Sequence, residues 1–233
     1  MMKIKKAMIL AAGYGKRLLP LTQRIPKPLL EVKGKKFLQY SIEFLLSNSI
    51  NQIIVNSHHL HQQIQDFLNS NFPQVSISFE TEILDTGGGI LNAISFFQGE
   101  NFLVLNSDTI WTKHYQQEIL KLIDIFESGK AKAALLLAKK ENSFDHNLIG
   151  DFDLDHKNFI NKNNKKYIFT GCQVLNPNIF NKCKKKIFSM NEIWNDLIRI
   201  DSLNGFVSEQ AFLHATNLDV FNKLNNSTII DLK

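Results

Sequence analysis

Five short apolar runs, spaced so that a helix fits between each and the next, constrain this chain more than any other feature. They are Ala7-Met8-Ile9-Leu10-Ala11, Gln52 to Asn56, Val75 to Phe79, Phe102 to Asn106 and Ala131 to Ala138. Between them, residues 36–48, 61–68, 90–97 and 115–126 read as helices; in the first, Phe37, Leu38, Tyr40, Ser41, Phe44 and Leu45 recur at helical spacing. Val75 to Phe79 alternates as an edge strand would, and Phe102 to Asn106 reads as a central strand. Ala131 to Ala138 suits either element, and its place between a helix ending in Gly129 and a polar segment favours a strand. This alternation predicts an α/β fold: a mostly parallel, Rossmann-like sheet with helices on both faces.

The second half changes character. Leu148 to Leu154 and Lys166 to Leu175 are strand-like, separated by a turn rich in Asn and Lys, and helices near residues 191–199 and 218–224 close the chain. No internal repeat or long linker divides it. A single domain over 1–233 is expected, with the second half as a smaller, substrate-facing subregion laid on the same sheet.

The first strand empties into Ala12-Gly13-Tyr14-Gly15, followed by Lys16 and Arg17, and Pro26-Lys27-Pro28 presents one more lysine. A strand feeding a glycine turn of backbone N–H donors, surrounded by fixed cations, suits phosphate oxygens. It is neither of two common phosphate loops. The dinucleotide fingerprint needs a third glycine where Leu18 stands, and the Gly-Lys-Ser/Thr loop fails at Arg17. So long a charged loop is costly to order unless a ligand holds it.

Charge agrees with this placement. The chain has a net charge of +5, yet residues 1–36 hold ten Lys or Arg against Glu31 alone. Without aromatic interleaving or a basic helical stripe, the concentration fits a small polyanion such as a nucleoside triphosphate, and nucleic acid is not expected as a partner. No apolar run approaches the ~18 residues of a membrane span. No signal peptide is read at the start, and two cysteines without CxxC spacing, Cys172 and Cys183, point to a reduced, cytoplasmic protein.

Ligands of an open parallel sheet bind beyond the carboxyl ends of its strands, which places Asn106-Ser107-Asp108 near the glycine loop. Asp108 suits a Mg²⁺ ligand beside phosphates; the alternative is a turn cap, and the adjacent loop favours the metal. Thr86-Gly87-Gly88-Gly89 implies close backbone approach, either by a planar base or within a ligand-free turn. His58, His59 and His61 lack zinc-site spacing and read as a loop, Cys172 reads as core, and no serine-nucleophile elbow is present.

These residues identify a resemblance. Leu10-Ala11-Ala12-Gly13-Tyr14-Gly15-Lys16-Arg17, then Pro20-Leu21-Thr22 and Pro26-Lys27-Pro28-Leu29, look like the signature of the sugar-1-phosphate nucleotidyltransferases. The likeness continues through Thr86 to Gly89, Asn106 to Asp108, Gly150-Asp151-Phe152 and Phe169-Thr170-Gly171. A chain of this length without a left-handed β-helix extension is similar to the N-acetylmuramate-1-phosphate uridylyltransferases, with mannose-1-phosphate guanylyltransferases as the nearest confusable group.

The resemblance implies the nucleotide-diphospho-sugar transferase fold, with a nucleotide-binding half over 1–140 and a sugar-phosphate-binding half over 141–233. It implies attack by a sugar-1-phosphate oxygen on the α-phosphorus of a nucleoside triphosphate. Arg17, Lys27 and Asp108 would be catalytic, and Ala11, Ala12, Gly13, Gly15, Lys16, Gly88 and Asn106 would also bind the nucleotide. Gly150, Asp151, Thr170 and Gly171 would line the sugar side. Mg²⁺, with Mn²⁺ as an alternative, would be held by Asp108. One departure stands out: the family commonly has a second metal-binding aspartate late in the chain, where His214 stands here. Imidazole is a poor Mg²⁺ ligand, which leaves three roles: a phosphate donor (the favoured one), a ligand to a softer metal, or a weakened site. The last would suit a nucleotide-sensing regulatory protein. A monomer or small homo-oligomer is expected.

Overall fold

The computed structural model describes residues 3–129 and 131–228. Its centre is a seven-stranded sheet of β1 (Lys6–Leu10), β2 (Gln52–Ser57), β3 (Ser76–Phe79), β4 (Phe102–Asn106), β5 (Ala133–Lys139), β6 (Tyr167–Leu175) and β7 (Leu203–Ser208). In space they run β7-β5-β6-β4-β1-β2-β3. All are mutually parallel except β6, which is antiparallel to both β4 and β5. Helices α1 (Phe37–Ser47), α2 (His61–Asn71), α3 (Asp85–Asn92), α4 (Tyr115–Ser128), α5 (Met190–Arg199) and α6 (Leu218–Asn226) complete the fold.

Alternation along the strands builds two cores. Ala7, Ile9, Leu103 and Leu105 face the layer that contains α1, α2 and α4, while Met8, Phe102 and Val104 pack toward α3 and α5. Chain order reverses between β1 and β4: from β1 the sheet grows to β2 and β3, then crosses back to place β4 on the other side. Such a switch point opens a crevice at the strand ends. Here Leu10 lies opposite Asn106, and the Ser107 N–H donates to the Leu10 carbonyl at 3.2 Å. Among the described residues, no helix is long and apolar enough to cross a membrane.

The structure corrects several expectations. The long first loop is not an open coil: it folds into three 3₁₀ turns and a two-residue ribbon, Glu31–Val32 with Lys35–Lys36. Its Leu18, Leu30 and Val32 are buried against Leu213, Ala215 and α6 in a third core. The helix expected at 90–97 begins at Asp85, so the three glycines lie inside α3, and only a 3₁₀ turn covers Ile94–Phe97. In the stretch 148–154 only Asp153–Leu154 is strand, paired with Ile160–Asn161. Strand β7, with Gly205 in its middle, has no counterpart in the sequence reading. Nor is the second half laid on the sheet, because β6 runs through its interior.

Candidate active site

A cavity of about 630 Å³ lies at the switch point. It is lined by Ala11, Ala12, Gly13, Gly15, Lys16 and Arg17 from the first loop, by Lys27, and by Asn106 and Asp108 after β4. Gly15 is left-handed, with φ 62°, and a Cβ there would come within 2.8 Å of the Thr22 methyl and 3.1 Å of the Lys27 Cβ. Glycine therefore lets the loop close on Lys27, and the Thr22 hydroxyl locks the turn by donating to the Gly15 carbonyl at 3.0 Å. A buried relay fixes the loop's other end. The Ala11 N–H donates to Asn56 Oδ1 at 2.7 Å, Asn56 Nδ2 donates to Glu80 Oε1 at 2.7 Å, and Glu80 Oε2 accepts the Leu84 N–H at 3.2 Å. Burial pushes the Glu80 carboxyl up, against the pull of Asn56.

Gly88 does not line this cavity. Its N–H, like that of Gly87, donates to the Phe188 carbonyl at 3.0 Å, and a Cβ on Gly88 would fall 2.2 Å from the Lys186 carbonyl oxygen. The close approach that Gly87 and Gly88 permit is made by the chain's own residues 186–188, and that at Gly89 by Glu80 and Asn56. Asp85 and Thr86, just before them, do line the cavity.

Lys27 Nζ and Asp108 Oδ2 pair at 2.5 Å, with side chains 13% and 23% exposed. Burial is the largest influence on Asp108 and opposes its ionisation, but Lys27 and His214 together outweigh it and hold the carboxyl below its ordinary range. Segment 213–215 is laced antiparallel beside 108–110: the Ile110 N–H donates to Leu213 O at 2.8 Å and the Ala215 N–H to Asp108 O at 3.2 Å. This lacing sets His214 beside Asp108. Its imidazole stacks on Phe212 at 4.5 Å, and its Nδ1 is buried without a hydrogen-bond partner among the described residues. Burial pushes His214 down to about 4, Asp108 opposing and Lys27 assisting, so the ring is neutral at pH 7.

Among the described residues, no three His, Cys, Asp or Glu side chains converge on a point that could hold a metal. That donor set does not suit a metal caged by protein alone. It does suit Mg²⁺ in its usual manner, one carboxylate supplemented by substrate phosphates and water, with Asp108 as the carboxylate. His58, His59 and His61 are each engaged elsewhere, by Glu80 O at 2.8 Å, Thr22 O at 2.7 Å and Ser57 Oγ at 2.8 Å.

A second cavity of about 600 Å³ adjoins the first. Leu10, Arg17, Asp85, Thr86 and Asn106 line both. Of the four residues expected on the sugar side, Gly150 and Asp151 line the second cavity, and Thr170 and Gly171 do not. Thr170 is buried, its hydroxyl donating to Leu136 O at 2.8 Å and its carbonyl accepting from the Thr109 hydroxyl at 3.0 Å. Gly171, with φ 87°, backs onto Asn106. Lys162, Lys165, Phe169 and Trp194 also line this cavity and were missed in sequence. The run 162–166 carries three lysines and reads as a solvated turn, and Trp194 reads as one more apolar position of a helix. Its ring packs edge-on against Phe152 and Phe169, and its Nε1 donates to Gln173 Oε1 at 3.0 Å.

The fold defines the class first. The chain superposes on the crystal structure of HddC from Yersinia pseudotuberculosis complexed with GMP-PN with a TM-score of 0.76, covering 96% of this chain and 99% of that one at 24% identity. It thereby has the fold of the nucleotide-diphospho-sugar transferases. The family model described as nucleotidyl transferase matches residues 6–148, and the chain belongs to that family as a sugar-1-phosphate nucleotidyltransferase. It is 27% identical over 220 residues to the N-acetylmuramate alpha-1-phosphate uridylyltransferase of Caulobacter vibrioides, covering 90% of this chain and 91% of that protein. It is 36% identical over 153 residues to the protein of the same name from Neisseria meningitidis serogroup B, covering 64% of each.

Proposed function

We propose that this enzyme transfers a uridylyl group from UTP to N-acetylmuramate 1-phosphate, releasing pyrophosphate, as a step of peptidoglycan recycling in the cytoplasm. Base and sugar are suggested by the named activity of the Caulobacter and Neisseria relatives. The reaction itself rests on one observation: two cavities meet along a wall that holds Arg17 and Asn106, with the Lys27–Asp108 pair in the first. A triphosphate in the first cavity and a sugar phosphate in the second would bring a nucleophilic oxygen to the α-phosphorus at that wall. The new P–O bond forms as the α–β bridging P–O bond breaks.

Alignment and stabilisation of charge do most of the work in such transfers. In this reading the Gly13–Gly15 turn, Lys16 and Arg17 hold the triphosphate, and Lys27 stabilises charge on the reacting phosphates. Asp151, at the far cavity, takes the sugar. Asp108 holds Mg²⁺, or Mn²⁺ in its place, which when bound neutralises phosphate oxygens. Neutral His214 donates a hydrogen bond to a phosphate oxygen.

The test is a matrix of UTP, GTP, dTTP and ATP against sugar 1-phosphates with Mg²⁺, read as pyrophosphate release. The highest kcat/KM is expected for UTP with N-acetylmuramate 1-phosphate. Preference for GTP would move the assignment toward guanylyl transfer, as the GMP-PN complex of HddC would suggest. No turnover in any cell would leave a nucleotide-sensing protein.

A further inference from the structure

The loop that brings cations to the second cavity spends them unevenly. Lys162 Nζ donates to Asn195 Oδ1 at 2.7 Å and stands over the Phe152 ring, and Lys166 pairs with Asp153 at 3.9 Å. Lys165 lines the cavity, yet among the described residues its ammonium has neither a hydrogen bond nor an ion pair. Its backbone is firmly placed. Lys165 sits at φ 50°, and its carbonyl is clamped on Gly150 so closely that a Cβ there would fall 1.8 Å from the oxygen. A lysine held in a left-handed conformation against a glycine is fixed where a solvated turn would be free to relax.

One oxygen of the carboxylate that faces it is already committed. Asp151 Oδ2 accepts the Phe169 N–H at 2.9 Å, and burial pushes the Asp151 carboxyl up against the pull of Lys165 and Lys162. Arg17, on the shared wall, and Lys162 are the other cations of this cavity. A singly phosphorylated neutral sugar presents one anionic group, at C1. Lys165, at the exposed rim, suits a second anion carried elsewhere on the ring.

Building on the function proposed above, we propose that Lys165 is a specificity residue that reads a carboxylate on the sugar, so that the second cavity selects an acidic sugar 1-phosphate over its neutral counterpart. N-acetylmuramate and N-acetylglucosamine 1-phosphates make the comparison, because they differ only in a lactyl ether that bears a carboxylate.

The experiment measures kcat/KM for both sugar phosphates with UTP and Mg²⁺ in wild type, Lys165→Gln and Lys165→Arg. The acidic-to-neutral ratio is expected to fall about tenfold in the Gln variant and to return in the Arg variant, the scale of losing one charge-assisted contact. An unchanged ratio overturns the proposal, whether both rates hold or both fall together. A wild-type enzyme that prefers the neutral sugar overturns it as well, while leaving uridylyl transfer intact. Absence of pyrophosphate with either sugar and any triphosphate is a different failure, that of the enzymatic reading on which this one rests.

Discussion

Replacing His214 with Asn tests the buried environment of the site directly. In the folded protein burial holds His214 at about 4, whereas the unfolded chain has its ordinary value of 6.5. As pH falls from 6.5 toward 4, the unfolded state takes up a proton that the folded state refuses. Stability therefore declines through that window and is fully recovered above it. At about 1.4 kcal/mol per pH unit, the gap is worth at most about 3 kcal/mol. Asp108 and Asp145, both held below the usual 3.8, act in a lower window: their stabilisation is present above 3.8 and is lost as pH drops through their folded values. Glu80 and Asp151, pushed up by burial, give a slope of opposite sign that both proteins share. Urea unfolding of wild type and His214→Asn at several values between about pH 7.5 and about pH 4.5 isolates the histidine term. The difference between the two stability curves should change by up to about 3 kcal/mol in favour of the variant at the acid end. Parallel curves would refute a buried, neutral His214.

Lys27→Ala and Asp108→Ala should each lower turnover at least about 100-fold in a pyrophosphate-release assay; near-wild-type rates would remove both from the chemistry. Gly150→Ala drives a Cβ into the Lys165 carbonyl and Gly88→Ala into that of Lys186, backbone atoms with little freedom to yield. Each should cost about 1–3 kcal/mol in chemical denaturation, and Gly150→Ala alone should also raise KM for the sugar phosphate. Native protein should expose one thiol to Ellman's reagent, Cys183, and a second only in denaturant, since Cys172 is fully buried and burial pushes its thiol up. Rapid labelling of both thiols would contradict the packing between β4 and β6.

Much of the first cavity was legible because its determinants are local. The apolar run of β1, the glycines and the cations after it, and the strand ending at Asp108 are contiguous in sequence, and parallel topology places them at one edge. The glycine triplet was legible as a close approach but not as to what approaches, because Phe188 lies a hundred residues away. The second cavity was less legible. Lys162 and Lys165 belong to a run whose composition matches any exposed turn, and long-range pairings, of β5 with β6 and of Phe152 with Tyr167, carry it to the cavity. Strand β7 escaped notice because Leu203-Asn204-Gly205 lacks a continuous apolar run, although all six of its residues pair along β5 at positions where Ala and Leu supply the packing.

Thr170 and Gly171 line neither cavity, yet they shape the wall between the two. Strand β6 runs against β4 and β5, and its register on β5 jumps between Phe169 and Gln173. That irregularity lies where Gly171 adopts φ 87° and where a Cβ would stand 2.7 Å from the Cβ of Asn106. A side chain at 171 would meet both a disfavoured backbone conformation and the residue that borders both cavities. Thr170 fixes the same bulge from the other side through Leu136 and Thr109. The glycine thus leaves Asn106 room to stand at the common wall, and the threonine keeps the wall from moving. Two residues that line neither cavity thereby bear on the shape of the partition between them.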